Sequence, residues 1–153
     1  MKATATIKML QELGAFILAG AKGPRDVKTM VEMIQAARGY CWVGIYKLTR
    51  GDLAIVAGTG EEPPCYKRFP ATQGLCGAAV ESRETIVVHD VRKDVRYLPS
   101  FHETISEIVV PVMSQSEKVV GVIVADSEKP KAFSKDDREV LERVAMLMGH
   151  AFK

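Results

Sequence analysis

The 153 residues carry 21 lysines and arginines against 19 aspartates and glutamates, and the net charge of +2 leaves no broad basic face to neutralise phosphates, so nucleic acid is not the expected partner. With 47% hydrophobic and 26% charged residues the composition is that of an ordinary folded chain with one core, and residues 1–153 are expected to form a single domain. The longest apolar runs, such as residues 119–125, fall far short of the roughly 20 residues of a membrane span, and no secretory apolar core follows Met1, which makes a cytoplasmic location the expectation.

Residues 5–19 place Ile7, Leu10, Leu13, Ile17 and Leu18 at helical spacing, and Gly20 and Gly23 break the pattern. Pro24 suits a first helical turn, and Val27, Met30, Val31 and Ile34 extend a second helix to Arg38 and Gly39. Residues 41–48 are rich in strand formers, a turn follows at 49–52, and residues 53–57 form the returning strand of a hairpin. Residues 58–73 carry Pro63, Pro64 and Pro70 among polar side chains and read as a long surface loop without regular structure. A short helix over 74–82, a strand over 85–89 and a second irregular loop over 90–104 come next. Residues 105–113 and 118–126 are strands joined by a four-residue turn at 114–117. Ser134 with Asp137 three residues on resembles a capping box, and Val140, Leu141, Val144, Leu147 and Met148 form the apolar stripe of a closing helix.

Strands arriving in hairpins between terminal helices indicate an α+β fold, an antiparallel sheet with the N- and C-terminal helices on one face. Strand 105–113 is apolar on both sides, with Ile108, Val110 and Val112 on one and Val109, Pro111 and Met113 on the other, so both faces need cover. The helices supply one cover and the two long loops the other, and a sheet roofed by loops is a natural cavity for a small polar ligand. A four-residue turn pairs Glu107 with Val124 and leaves Asp126 as the diagonal neighbour of Glu107, both carboxylates facing that cavity. Such a pair binds an ammonium group, or holds one member protonated as an acid.

Three cysteines, an odd number, argue against a disulfide framework and for free or redox-active thiols. Cys76 stands at a helix start, where the dipole and free amides lower a thiol pKa, and Cys65 precedes Lys67 and Arg68, whose charge acts in the same direction. Equally, Cys76 reads as a small buried residue packed between glycines. Cys41 opens a strand and is assigned no chemistry. His89, His102 and His150 stand apart, no Cys/His group has zinc-ligand spacing, and no phosphate-binding glycine loop is present, so neither a metal nor a cofactor is expected.

The order of elements resembles the GAF domain over nearly the whole chain, including the Gly121-Val-Ile-Val124 strand and the Ala132-Phe-Ser134 entry to the closing helix. Sharper matches resemble the free methionine-(R)-sulfoxide reductases: Trp42-Val-Gly-Ile-Tyr46, Pro64-Cys65, Gly74-Leu-Cys76-Gly77, Asp90-Val91, Ser106-Glu-Ile-Val-Val-Pro111 and Asp126-Ser127. That resemblance implies a pocket in which Trp42 and Tyr46 cover methionine sulfoxide, Glu107 and Asp126 contact it, and cysteines reduce it, with a thioredoxin-like protein restoring the thiols. Ser100 falls where the family's third cysteine stands, and Val124 where it carries a further carboxylate. The sequence therefore reads first as a ligand-binding GAF module with Trp42, Tyr46, Ser100, Glu107 and Asp126 around the ligand. The second reading is a reductase with Cys76 as nucleophile and Cys65 as resolving thiol, the two linked by a disulfide on oxidation. A third is an interaction module that homodimerises through the first helix, whose apolar face Ala15, Phe16 and Ala19 widen.

Overall fold

The computed structural model describes residues 2–99 and 101–152, so Ser100 lies outside the described residues. Among these, helix α1 (Lys2–Leu18) buries Thr6, Met9, Leu13 and Ile17 at intervals of three or four. Helix α2 (Gly23–Arg38) has Pro24 in its first turn and ends on Gly39, whose φ of 74° lets its N–H turn back to the Gln35 carbonyl. Strands β1 (Trp42–Thr49), β2 (Asp52–Gly58) and β3 (Arg68–Pro70) lead to helix α3 (Gly74–Ser82), strand β4 (Ile86–Val88), strands β5 (Ser106–Met113) and β6 (Val119–Ser127), and helix α4 (Lys135–Met148). The capping box at Ser134 and Asp137 is present in both directions. None of these helices is long and apolar enough to cross a membrane.

The strands form one antiparallel sheet in the order β3-β2-β1-β6-β5-β4, giving the α+β architecture read from the sequence. Alternation sorts its residues by face. Val43, Ile45, Ile108, Val110, Val112, Ile123 and Ala125 pack under α1, α2 and α4. Trp42, Tyr46, Val109, Val122 and Val124 face the other way, where Leu75, Cys76 and Ala79 of α3 meet them. The opposite face is thus covered by a helix as well as by loops. The Pro-rich loop also contains a strand the sequence reading omitted: Phe69 pairs with Leu53, because its neighbours Arg68 and Pro70 sit on an outer edge where proline is tolerated.

The β5–β6 hairpin corrects the expected register. Met113 pairs with Val119, so the connection holds five residues rather than four, and a bulge between Val112 and Met113 adds one more. Either change alone turns β6 over; together they shift it by two and restore its facing. Glu107 consequently lies directly opposite Asp126, and Val124 lies opposite Val109.

The helical layer is held by a buried ion pair. Arg38 ends α2 and donates to Asp137 at 2.6 Å, to Asp136 at 2.8 Å and to the Thr6 hydroxyl of α1 at 2.9 Å. The Tyr40 hydroxyl donates to the same Asp137 oxygen at 2.7 Å. Burial alone would raise the Asp137 carboxyl, but hydrogen bonds from Arg38, Ser134 and Tyr40 outweigh it and hold it at about 2. A depressed carboxyl stabilises the fold fully above its unfolded pKa near 4, and the contribution is lost as pH falls toward 2. Asp137→Asn is expected to cost about 3–5 kcal/mol at pH 7, because it strands the Arg38 charge, while Asp136→Asn, on the exposed partner, costs about 1 kcal/mol or less. Urea unfolding of both variants at pH 7 and pH 3 checks the order and its weakening in acid.

Candidate functional site

One row of the sheet carries the candidate site. Val88, Glu107, Asp126 and Trp42 are successive cross-strand partners on β4, β5, β6 and β1, all on the face away from α1, α2 and α4. Glu107 is 4% exposed and Asp126 2% exposed, two carboxyl groups side by side in an apolar setting. Burial pushes Glu107 well above the usual carboxylate range, and the neighbouring Asp126 pushes it further. Burial also raises Asp126, to about 6, with hydrogen bonds from Glu107 and Thr104 restraining the rise. The pair therefore shares a proton around neutral pH, Glu107 holding it and Asp126 accepting from it.

Trp42 is the chain's one tryptophan, and its indole occupies the space that side chains at Gly44 and Gly58 would fill. A methyl group on Gly44 would sit 2.0 Å from its Cη2 atom, and one on Gly58 would sit 2.6 Å from Cζ2, so these two glycines form the bed of the ring. Phe101 meets the indole edge-on with centroids 5.1 Å apart. The bed is clamped from beneath. Thr59 exchanges hydrogen bonds with the Val43 backbone, and the Lys28 ammonium of α2 donates to the Gly58 and Gly60 carbonyls at 2.6 Å each. Trp42 Nε1, Glu107 Oε1 and Asp126 Oδ1 are buried with no hydrogen-bond partner among the described residues. A cavity of about 290 Å³ opens beside Trp42, Phe101, Thr104 and Asp126, with Cys41 and the exposed Glu61, Glu62, Glu103 and Glu128 at its rim.

Cys76, in the first turn of α3, is buried against this row, but not in the state the helix start implied. Burial pushes its thiol well up, and the Glu107 and Asp126 carboxyls add to the rise, overriding the helix dipole. Cys65 is exposed in the loop ahead of β3; both cysteines are free thiols. Tyr46 is fully buried two residues along β1 from Gly44, edge-on to Phe69 at 5.6 Å, and so lies deeper in the same apolar cluster than the cavity rim. Among the described residues no three His, Cys, Asp or Glu side chains gather as a metal site. Phe101, Thr104 and the clamp from Lys28 were not singled out in the sequence. A signal existed for Gly44, a lone glycine inside a strand, which often marks a close approach.

The model of the GAF domain matches residues 27–153, and the chain belongs to the GAF domain family. Within that family it is similar to free methionine-R-sulfoxide reductases. The Saccharomyces cerevisiae enzyme of that name is 32% identical over 108 residues, which cover 70% of this chain but 60% of the yeast protein's length. The type II free methionine-R-sulfoxide reductase of Thermoplasma acidophilum superposes with a TM-score of 0.79 at 33% identity, over 92% of this chain and 96% of that one. The Neisseria meningitidis enzyme, solved in complex with its substrate, superposes with a TM-score of 0.89 at 26% identity, over 99% and 90% of the two chains.

Raised carboxyl pKa values stabilise the fold below their unfolded values near 4, and the contribution is lost as pH rises through about 6 for Asp126 and higher for Glu107. The ligand-free protein is therefore expected to lose stability as pH rises through about 6 and beyond, and Glu107→Gln to recover part of that loss at pH 8. Thermal unfolding of both proteins across that range checks the sign. Gly44→Ala is expected to lift the indole from its bed, seen as a red shift of Trp42 emission while far-UV circular dichroism stays native.

Proposed function

We propose that residues 1–153 act as one cytoplasmic GAF unit that binds a small polar ligand of the free amino-acid sulfoxide class, with L-methionine (R)-sulfoxide as the first candidate. The observation that carries this reading is the set of partnerless polar atoms on one row, Trp42 Nε1, Glu107 Oε1 and Asp126 Oδ1. Buried polar groups are almost always hydrogen-bonded, so a donor and two acceptors left open together mark a place for a ligand's own polar atoms. Glu107 and Asp126 offer acceptors to an ammonium group, and the protonated carboxyl offers a proton to a sulfoxide oxygen. Trp42 covers the apolar part and Tyr46 backs the wall. The reductases solved with substrate supply the chemical class of the ligand by similarity.

Binding is favoured over turnover because a buried Cys76 thiol beside two carboxyl groups is a poor source of thiolate. The same neighbourhood also supports the second reading, a reductase. A protonated Glu107 next to Cys76 is a proton donor for the oxygen as the thiolate attacks sulfur. That step transfers the oxygen to Cys76 as a sulfenic acid and releases methionine; Cys65 then condenses with it, water leaves, and a thioredoxin-like dithiol reduces the disulfide. A third reading, homodimerisation through α1, is supported by Ile7 and Leu18, which are 59% and 90% exposed on that helix.

Saturating L-methionine (R)-sulfoxide is expected to raise the melting temperature, with about 2.7 kcal/mol at a hundredfold excess over Kd, and Trp42→Ala or Asp126→Ala to abolish the gain. No stabilisation by either sulfoxide epimer would overturn the binding reading. A thioredoxin-coupled assay separates the readings: turnover lost in Cys76→Ser establishes the reductase, and none in the native chain leaves the binding module. After mild peroxide, a Cys65–Cys76 peptide belongs to the reductase alone.

A further inference from the structure

Cys41 is exposed on the turn between α2 and β1, a place held on both sides. The Gln35 amide donates to its carbonyl at 3.1 Å, and Arg38 and Tyr40 just before it are tied to Asp137. Its side chain stands at the rim of the cavity whose floor carries Asp126 and Trp42, both more than nine-tenths buried and each with a polar atom lacking a partner. Around it the rim is acidic: Glu61, Glu62, Glu103 and Glu128 are all exposed there, against the neighbouring Lys28 ammonium, which is bound to the Gly60 carbonyl.

We propose that Cys41 is a modification site, a thiol that exchanges with small amine-bearing disulfides and, once it carries the cationic half, narrows the entrance to the pocket. In the exchange the Cys41 thiolate attacks one sulfur of the disulfide, the S–S bond breaks, and the other half leaves as a thiolate that takes up a proton. Cys41 becomes half of a mixed disulfide, and the reagent is reduced by the same two electrons. Four carboxylates attract a dication to the rim and repel a polyanion such as oxidised glutathione, so charge selects the reagent. The tethered ammonium then rests among those carboxylates, across the approach to Trp42. Cys65 is also exposed but stands outside this rim and beside Lys67 and Arg68, so the opposite charge preference is expected there. The narrowing concerns the pocket of the proposed function, whereas the exchange at Cys41 depends only on the thiol and the charges around it.

The test treats the full chain with cystamine, neutral bis(2-hydroxyethyl) disulfide or oxidised glutathione and follows each cysteine by peptide mass. Taking the ratio of Cys41 labelling to the reaction of the same reagent with free N-acetylcysteine amide, a thiol without neighbouring charges, cancels the intrinsic reactivity of each reagent. That ratio is expected to be roughly tenfold or more higher for cystamine than for oxidised glutathione at low ionic strength, and to converge in roughly 0.5 M salt. Acrylamide quenching of Trp42 is expected to fall when the cystamine adduct forms and to stay unchanged in cystamine-treated Cys41→Ser, a readout that needs no bound ligand. Labelling blind to reagent charge, or quenching unchanged by full Cys41 labelling, overturns the proposal. Failure of the sulfoxide to bind removes the proposed function and leaves these two results standing.

Discussion

A guanidinium and a carboxylate 2.6 Å apart, both almost wholly out of water, tie the end of α2 to the start of α4, and through Thr6 they hold α1 as well. With the three long helices fixed to one another on one face of the sheet, the other face is left to α3 and the loops, and the cavity beside Trp42 and Asp126 lies there. The same network includes Tyr40, two residues before Trp42, so the point at which β1 begins is set by the helical layer. The molecule holds a second buried pair, Glu107 and Asp126, and treats it in the opposite way. Asp137 keeps its charge because a cation sits on it; Glu107 and Asp126 meet no cation among the described residues, and a shared proton takes its place. One pair is balanced by a cation within the fold, and the other by a proton.

The α+β architecture and most elements were legible in the sequence, because helical and strand periodicities are strong where the apolar residues are large and regularly spaced. The stripe at Val140, Leu141, Val144 and Met148 and the Ser134 cap are clear cases. Phe69 was not legible: a three-residue edge strand flanked by Arg68 and Pro70 has too few positions to show a period. The facing of Glu107 and Asp126 was read correctly, yet their pairing was not, since neither the fifth connecting residue nor the bulge leaves a mark in the residue pattern.

The site divides along the same line. The identities of Trp42, Tyr46, Glu107, Asp126 and Cys76 drew notice as residue types, but their electrical state depends on what surrounds them in space. The helix start at Cys76 pointed to a reactive thiol and its flanking glycines to a buried packing residue; burial beside two carboxyl groups, which raises the thiol, favours the second. Phe101 and Thr104 sit in an irregular loop with no period, and Lys28 acts on Gly58 and Gly60 from thirty residues away. Contacts of that span lie beyond any local pattern.

The bulge beside Met113 also bears on how such a chain can change its length over evolutionary time. Val120, the residue without a partner there, takes up one extra position in β6 without turning the strand over, so its deletion would leave a regular ladder with Glu107 still opposite Asp126. A residue gained or lost in the five-residue connection is absorbed in the same way by the turn, at small entropic cost. Relatives that keep a carboxylate facing Glu107 can therefore differ by single residues at these two places, whereas a change inside the regular part of either strand would move every side chain beyond it to the other face.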